Sequence, residues 1–227
     1  PEKPVALKTI VTTEMARKVA ESNGVKCFDT FTGFKFMAEK KNALEASGEG
    51  KVIFSYEESY GYMLGDYVRD KDAVTASMLL TEMAAWYYAQ GMTLFDALNA
   101  LYEKYGYYAE KTHNLVMPGL DGLRDMAKLM ADLRANPPTK ISGVKVTVRK
   151  DYTDGSVIDC ATGAKSRMEL SGSNVLRYEL ADGTVILVRP SGTEPKIKVY
   201  ILTQGADAAE AAANIEKYGR WVAALKP

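Results

Sequence analysis

The chain has 227 residues, 47% of them hydrophobic, and its 29 Lys and Arg balance 29 Asp and Glu. That length suffices for one large domain or two ordinary ones, and the even charge argues against a nucleic-acid binder held by bulk electrostatics while leaving room for a local phosphate site. No apolar run approaches the roughly 20 residues needed to cross a bilayer. No signal-peptide pattern opens the chain. Two cysteines, Cys27 and Cys160, fit a reducing, cytoplasmic setting better than a disulfide framework. A single histidine, His113, leaves no room for a zinc site built on several. The opening Pro1-Glu2-Lys3-Pro4 has no initiator Met, as in an excised piece of a longer protein or a chain numbered after processing.

The first half alternates short apolar runs with helical patterns. Ala6 to Val11 reads as a strand, and Thr12 or Thr13 caps a helix with Met15, Ala16, Val19 and Ala20 on one face. Gly24 stops it, Val25 to Thr30 reads as a second strand, Thr32-Gly33 opens a second helix, and Val52 to Ser55 is a third strand. Such alternation predicts an α/β layer on a mostly parallel sheet. Longer helices are expected from Asp72 to Gln90, from Thr93 (with Asp96 at near-capping-box spacing) to Gly106, and from Asp121 to Ala135. The pattern then changes. Val144, Val146 and Val148 alternate with Lys145, Thr147 and Arg149, Ala181-Asp182-Gly183 joins two apolar runs as a hairpin, and Ile197, Val199 and Ile201 alternate again. A helix from Ala206 to Leu225 closes the chain. The expected fold is an α/β domain over 1–117, then over 118–227 a smaller α+β domain with an antiparallel sheet and flanking helices.

Two segments carry candidate chemistry. Arg189-Pro190-Ser191-Gly192-Thr193-Glu194-Pro195-Lys196 joins two strands by a tight polar loop. Gly192 allows a sharp turn and close backbone approach, consecutive N–H groups can form an anion nest, and Ser191, Thr193 and Arg189 add donors suited to phosphate oxygens. The same residues also fit a plain polar hairpin. Tyr56-Glu57-Glu58-Ser59-Tyr60-Gly61-Tyr62 follows a strand, where α/β sheets hold their ligands, and its acceptors suit sugar hydroxyls. Taken alone it also fits a surface loop with a solvated acidic pair.

The Arg189–Lys196 segment resembles the phosphate-binding loop in the last domain of α-D-phosphohexomutases, the phosphoglucomutase/phosphomannomutase family. The resemblance implies that Arg189, Ser191, Gly192 and Thr193, with Lys196 beside them, hold the phosphate that is not being transferred. Glu57 aligns with the first Glu of that family's sugar-specificity loop. The resemblance thus implies that Glu57 or Glu58, with Ser59, reads the 3- and 4-hydroxyls. Tyr60-Gly61-Tyr62 departs from the usual Gly-His. That is similar to a branch of phosphoglucomutases and phosphopentomutases, and it leaves the sugar open.

By the same resemblance Lys8 assists proton transfer, and Gly33 and Lys35, at a helix start, complete the sugar-phosphate pocket. Arg69-Asp70-Lys71-Asp72 also resembles a family stretch, with Asp72 expected as a helix cap. Thr112-His113-Asn114 lacks the Ser and Pro of a phosphoserine loop, and no three-carboxylate metal loop is found. The resemblance therefore covers the third and fourth domains of a four-domain isomerase. It implies Mg2+ held by residues outside this chain, glucose 1,6-bisphosphate as intermediate, a hexose phosphate as substrate, and no turnover by this chain alone. A stand-alone phosphosugar-binding module and a phosphopentomutase fragment are the competing readings.

Overall fold

The computed structural model describes residues 2–119, 121–192 and 194–225. Two compact units divide between Tyr107 and Tyr108.

The first unit opens with β1 (Pro4–Thr9), α1 (Glu14–Ser22), β2 (Lys26–Thr30), α2 (Phe34–Ala46), β3 (Lys51–Tyr56) and β4 (Tyr62–Met63). The sheet order is β2-β1-β3-β4. β1 runs parallel to both β2 and β3, while β4 folds back antiparallel on β3. The sheet is therefore mixed, with a central strand, β1, buried almost along its length. Phe34, Met37 and Leu44 of α2 pack on Val5, Leu7, Val52 and Met63 to form the core. Thr13 caps α1 by accepting from Met15 N. No residue of α1 is fully enclosed.

α3 (Ala73–Tyr88) and α4 (Leu94–Tyr105) follow. Asp72 caps α3 through Val74 N and Thr75 N, and Thr93 and Asp96 form a full capping box on α4. α3 buries none of its residues. Val74, Met78, Trp86 and Tyr88 on α3 and Phe95 on α4 are all exposed.

The second unit contains β5 (Tyr107–Val116), α5 (Gly122–Ala135), β6 (Lys140–Ile141), β7 (Val144–Asp151), β8 (Ser156–Asp159), β9 (Lys165–Arg167), β10 (Leu176–Leu180), β11 (Val185–Pro190), β12 (Lys196–Gly205) and α6 (Ala208–Ala224). Its eight-stranded sheet runs β5-β12-β11-β10-β7-β8-β9, with β6 paired to β7. The run from β12 to β9 is antiparallel throughout. Leu129, Met130 and Leu133 of α5 and Ile215, Tyr218 and Val222 of α6 cover a face built from Val146, Tyr178, Ile186, Val188, Val199 and Ile201. The sequence reading divides the chain at 117/118. The units divide earlier because β5 is a strand of the second sheet, next to β12. The 144–148 run also differs from simple alternation, because the register of β7 against β10 shifts between Glu179 and Leu180.

Candidate functional site

Three parallel strands place their C-terminal ends on one edge of the first sheet, and every candidate residue of this unit lies at or just beyond that edge. Lys8 and Thr9 end β1, the Thr32-Gly33 turn follows β2, and Glu57 to Ser59 follow β3. This is where open α/β sheets collect ligands, because helices and loops diverge there.

Lys8 is wholly buried, and so is its charge. Its Nζ lies 3.1 Å from Glu14 Oε1 and 3.0 Å from Asp29 Oδ1. It also donates to the Thr12 carbonyl at 3.1 Å and the Thr9 carbonyl at 3.3 Å. Four acceptors thus surround three N–H bonds. Arg17 closes the same network, with Nη2 2.7 Å from Asp29 Oδ1 and Nε 3.1 Å from Glu14 Oε2. The sequence reading gives Lys8 a part in proton transfer. The geometry engages its ammonium with these acceptors within the fold.

Those threonines reach the acidic loop. Thr9 Oγ1 donates to Glu58 Oε2 at 3.0 Å, and the hydroxyls of Thr9 and Thr12 lie 2.7 Å apart. Because the Thr9 proton goes to Glu58, Thr12 donates to Thr9. Glu57 takes a different support. Its backbone N–H donates to the Gly61 carbonyl at 3.0 Å, closing the loop. A Cβ on Gly61 would sit 2.9 Å from Glu57 Oε1 and 2.6 Å from Phe34 Cε2, so only glycine leaves room for that carboxylate over the start of α2. Ser59 and Tyr60 are exposed, and Tyr60 adopts a left-handed φ of 65°. Burial pushes both the Cys27 thiol and the Tyr56 phenol up, which removes them as ready acids or nucleophiles at neutral pH.

Gly33 caps α2 with φ 112°, a conformation closed to most side chains, and no side chain caps that helix start. Lys35 is exposed, with its ammonium 4.8 Å from the centre of the Phe36 ring. Asp70 and Asp72 do not fit a cation cage. Asp72 accepts from Val74 N, Thr75 N, Thr75 Oγ1 and Tyr67 Oη, and Asp70 accepts from Lys71. Among the described residues no group of three acidic, His or Cys side chains suits a metal.

In the second unit Arg189 and Pro190 end β11 and Lys196 opens β12. Ser191 N donates to the Lys196 carbonyl at 2.8 Å, and Lys196 N donates to the Glu194 carbonyl at 2.7 Å. The Lys196 ammonium pairs with Glu194, whose carboxyl it holds below the usual range. Arg189, by contrast, pairs with no carboxylate among the described residues, and it is half-buried. Gly192 is exposed, its φ lies outside the left-handed region, and a Cβ there would meet nothing within 4 Å. The fold does not demand glycine at this position. Thr193 lies outside the described residues. The turn is braced from the start of α5. Met117 N donates to the Pro195 carbonyl at 2.8 Å, and a Cβ on Gly122 would fall 2.2 Å from the Met117 carbonyl oxygen.

A mixed α/β domain with an acidic loop at its strand ends, followed by an antiparallel domain with an arginine-bearing turn, is the domain pairing of α-D-phosphohexomutases. The chain belongs to the phosphoglucomutase/phosphomannomutase family. The model for phosphoglucomutase/phosphomannomutase, alpha/beta/alpha domain III, matches residues 1–105, and that for phosphoglucomutase/phosphomannomutase, C-terminal domain, matches residues 114–217. A phosphoglucomutase of Staphylococcus aureus (strain N315) is 35% identical over 209 residues, covering 92% of this chain and 37% of that protein. Its counterpart in strain MRSA252 is 34% identical over the same length. The chain therefore spans well under half the length of these relatives.

Two solved structures share the fold. One is the open form of pp63/parafusin from Paramecium, with TM-score 0.60 and 20% identity, covering 98% of this chain and 39% of that one. The other is a putative phosphomannomutase from Thermus thermophilus, with TM-score 0.58 and 18% identity, covering 97% and 37%. Among the described residues no helix is long and apolar enough to cross a membrane.

Proposed function

We propose that this chain is the C-terminal part of a phosphohexomutase that interconverts hexose 1-phosphate and hexose 6-phosphate through a phosphoserine and a bisphosphorylated sugar. In this reading Arg189, Ser191, Gly192 and Thr193, with Lys196, hold the phosphate that stays put. Glu57, Glu58 and Ser59 read sugar hydroxyls, with Gly33 and Lys35 on the same sheet edge. Lys8 sets the charge and geometry beneath them. The phosphoryl donor and the residues for Mg2+ belong to the remainder of the longer protein, so this chain alone turns nothing over. Length supports this, since the S. aureus relatives extend far beyond the matched region. The exposed apolar side chains of α3 and α4 are the surface that the remaining domains cover.

The observation that carries the reading is the Arg189 turn: a guanidinium unpaired among the described residues beside an exposed glycine backbone. The test is a calorimetric or NMR titration of glucose 6-phosphate and mannose 6-phosphate into this chain and into Arg189→Ala. Saturable binding lost in the variant is the expected result. Binding that survives the substitution would move the phosphate site elsewhere.

A further inference from the structure

The turn that follows β1 is closed without the side chain of Thr12. Thr12 N donates to the Thr9 carbonyl at 3.1 Å, and the Thr12 carbonyl accepts from Lys8 Nζ at 3.1 Å. The Thr12 side chain is nevertheless enclosed, the residue being 3% exposed. Its hydroxyl has one partner among the described residues, Thr9 Oγ1 at 2.7 Å. A valine would fill that space with no polar atom to bury, so the fold by itself does not call for the hydroxyl.

The direction of the bond gives the hydroxyl a use. Thr9 has a single hydroxyl proton and two neighbours within reach, Thr12 Oγ1 at 2.7 Å and Glu58 Oε2 at 3.0 Å. An ionised carboxylate only accepts. With Thr12 donating along the shorter bond, the Thr9 proton is left to Glu58. The donors then run one way, from Thr12 to Thr9 to Glu58, and each bond polarises the next. One oxygen of Glu58 is thereby held to a wholly buried strand end. The other, Oε1, meets no donor among the described residues and stays open.

We propose that Thr12 is a positioning residue for sugar recognition. Its hydroxyl orients Thr9, and Thr9 holds Glu58 so that Oε1 accepts from one hydroxyl of a bound hexose. This rests on reading the Glu57–Ser59 segment as the sugar-binding loop, and it involves neither Arg189 nor the phosphate.

The test compares this chain with Thr12→Val, which keeps the shape, and Thr12→Ser, which keeps the hydroxyl. Without ligand, the carboxyl carbon NMR signal of Glu58 should shift in Thr12→Val and return to its parent position in Thr12→Ser. With ligand, calorimetry compares glucose 6-phosphate and galactose 6-phosphate, which differ only at the 4-hydroxyl. The parent's preference between them should shrink about threefold in Thr12→Val, the worth of a modest hydrogen bond, and return in Thr12→Ser.

Equal binding of the two sugars by the parent, or binding of neither, would overturn the loop reading and this proposal together. A parent preference that Thr12→Val keeps, one that Thr12→Ser fails to restore, or a Glu58 carboxyl signal unmoved in Thr12→Val would overturn this proposal alone. The parent chain decides even where Thr12→Val folds poorly: its Thr12 hydroxyl proton should exchange slowly with water, and exchange as fast as that of an exposed threonine would overturn the one-way chain of donors.

Discussion

The hydroxyl of Thr9, at the end of the central strand, donates to Glu58 Oε2 across 49 residues of sequence at 3.0 Å. A buried strand end is thereby tied to an exposed loop. Thr9→Val keeps the shape of the side chain and removes the donor. It should cost about 1 kcal/mol in chemical denaturation. In the titrations above it should reduce the preference between the two hexose phosphates more than the affinity for either. An unchanged preference would mean that Glu58 does not read the sugar.

Lys8 lies between two carboxylates that are themselves about a third exposed. Lys8→Met removes the buried cation and leaves Glu14 and Asp29 with Arg17 alone. Removing one partner of a fully buried pair costs about 3–5 kcal/mol, and screening at the partly exposed carboxylates reduces this to about 2 kcal/mol. A thermal or denaturant midpoint unchanged from the parent would show that the network contributes nothing to the fold.

Gly61→Ala tests packing alone. The new Cβ would enter the space of Phe34 and Glu57. Overpacking of this kind costs about 1–3 kcal/mol, and it should displace the Glu57 carboxylate. NMR shifts at Phe34 together with weakened hexose-phosphate binding are the expected outcome. Gly192→Ala is the contrast: it should leave stability unchanged, since its Cβ meets nothing.

Asp66 lies 2.7 Å from the buried Lys41 ammonium and 2.9 Å from Lys51, and their hydrogen bonds hold its carboxyl at about 2, against an ordinary 3.8. A depressed folded value means that the stabilising contribution is complete above about pH 4. It is lost as the pH falls toward 2, because the unfolded chain takes up its proton first. Asp66→Asn should flatten that part of the acid-denaturation curve of the parent. A curve of unchanged shape would show that the carboxylate has the same affinity for its proton folded and unfolded.

Where the determinants are local, the sequence was readable. Asp72 before α3 and the Thr93/Asp96 pair before α4 announce helix starts because each cap closes within three residues. The hairpin at Ala181-Asp182-Gly183 follows the same logic, and the Arg189 and Glu57 segments stood out because donors and acceptors cluster in a few consecutive positions. β8 and β9 were missed. Ser156–Asp159 and Lys165–Arg167 have little apolar alternation and exist as strands only by pairing with neighbours. β5 was missed for a related reason, since Tyr107–Val116 is a strand through its place beside β12. Nothing near Lys8 in sequence reveals that Asp29 shares its charge, or that Thr9 reaches Glu58. The register shift of β7 against β10 hides inside a run of valines that reads as simple alternation.

The position of β1 between two parallel neighbours has a consequence in time. Its amides open only when the sheet itself comes apart, whereas the Glu57–Gly61 loop hangs from the two-residue strand β4. Amide exchange at Lys8 and Thr9 should therefore run at the slowest rate of this unit, and exchange at Ser59 and Tyr60 near the rate of a free peptide. Any ligand gripped at that edge therefore meets a floor whose amides open far more rarely than those of its rim.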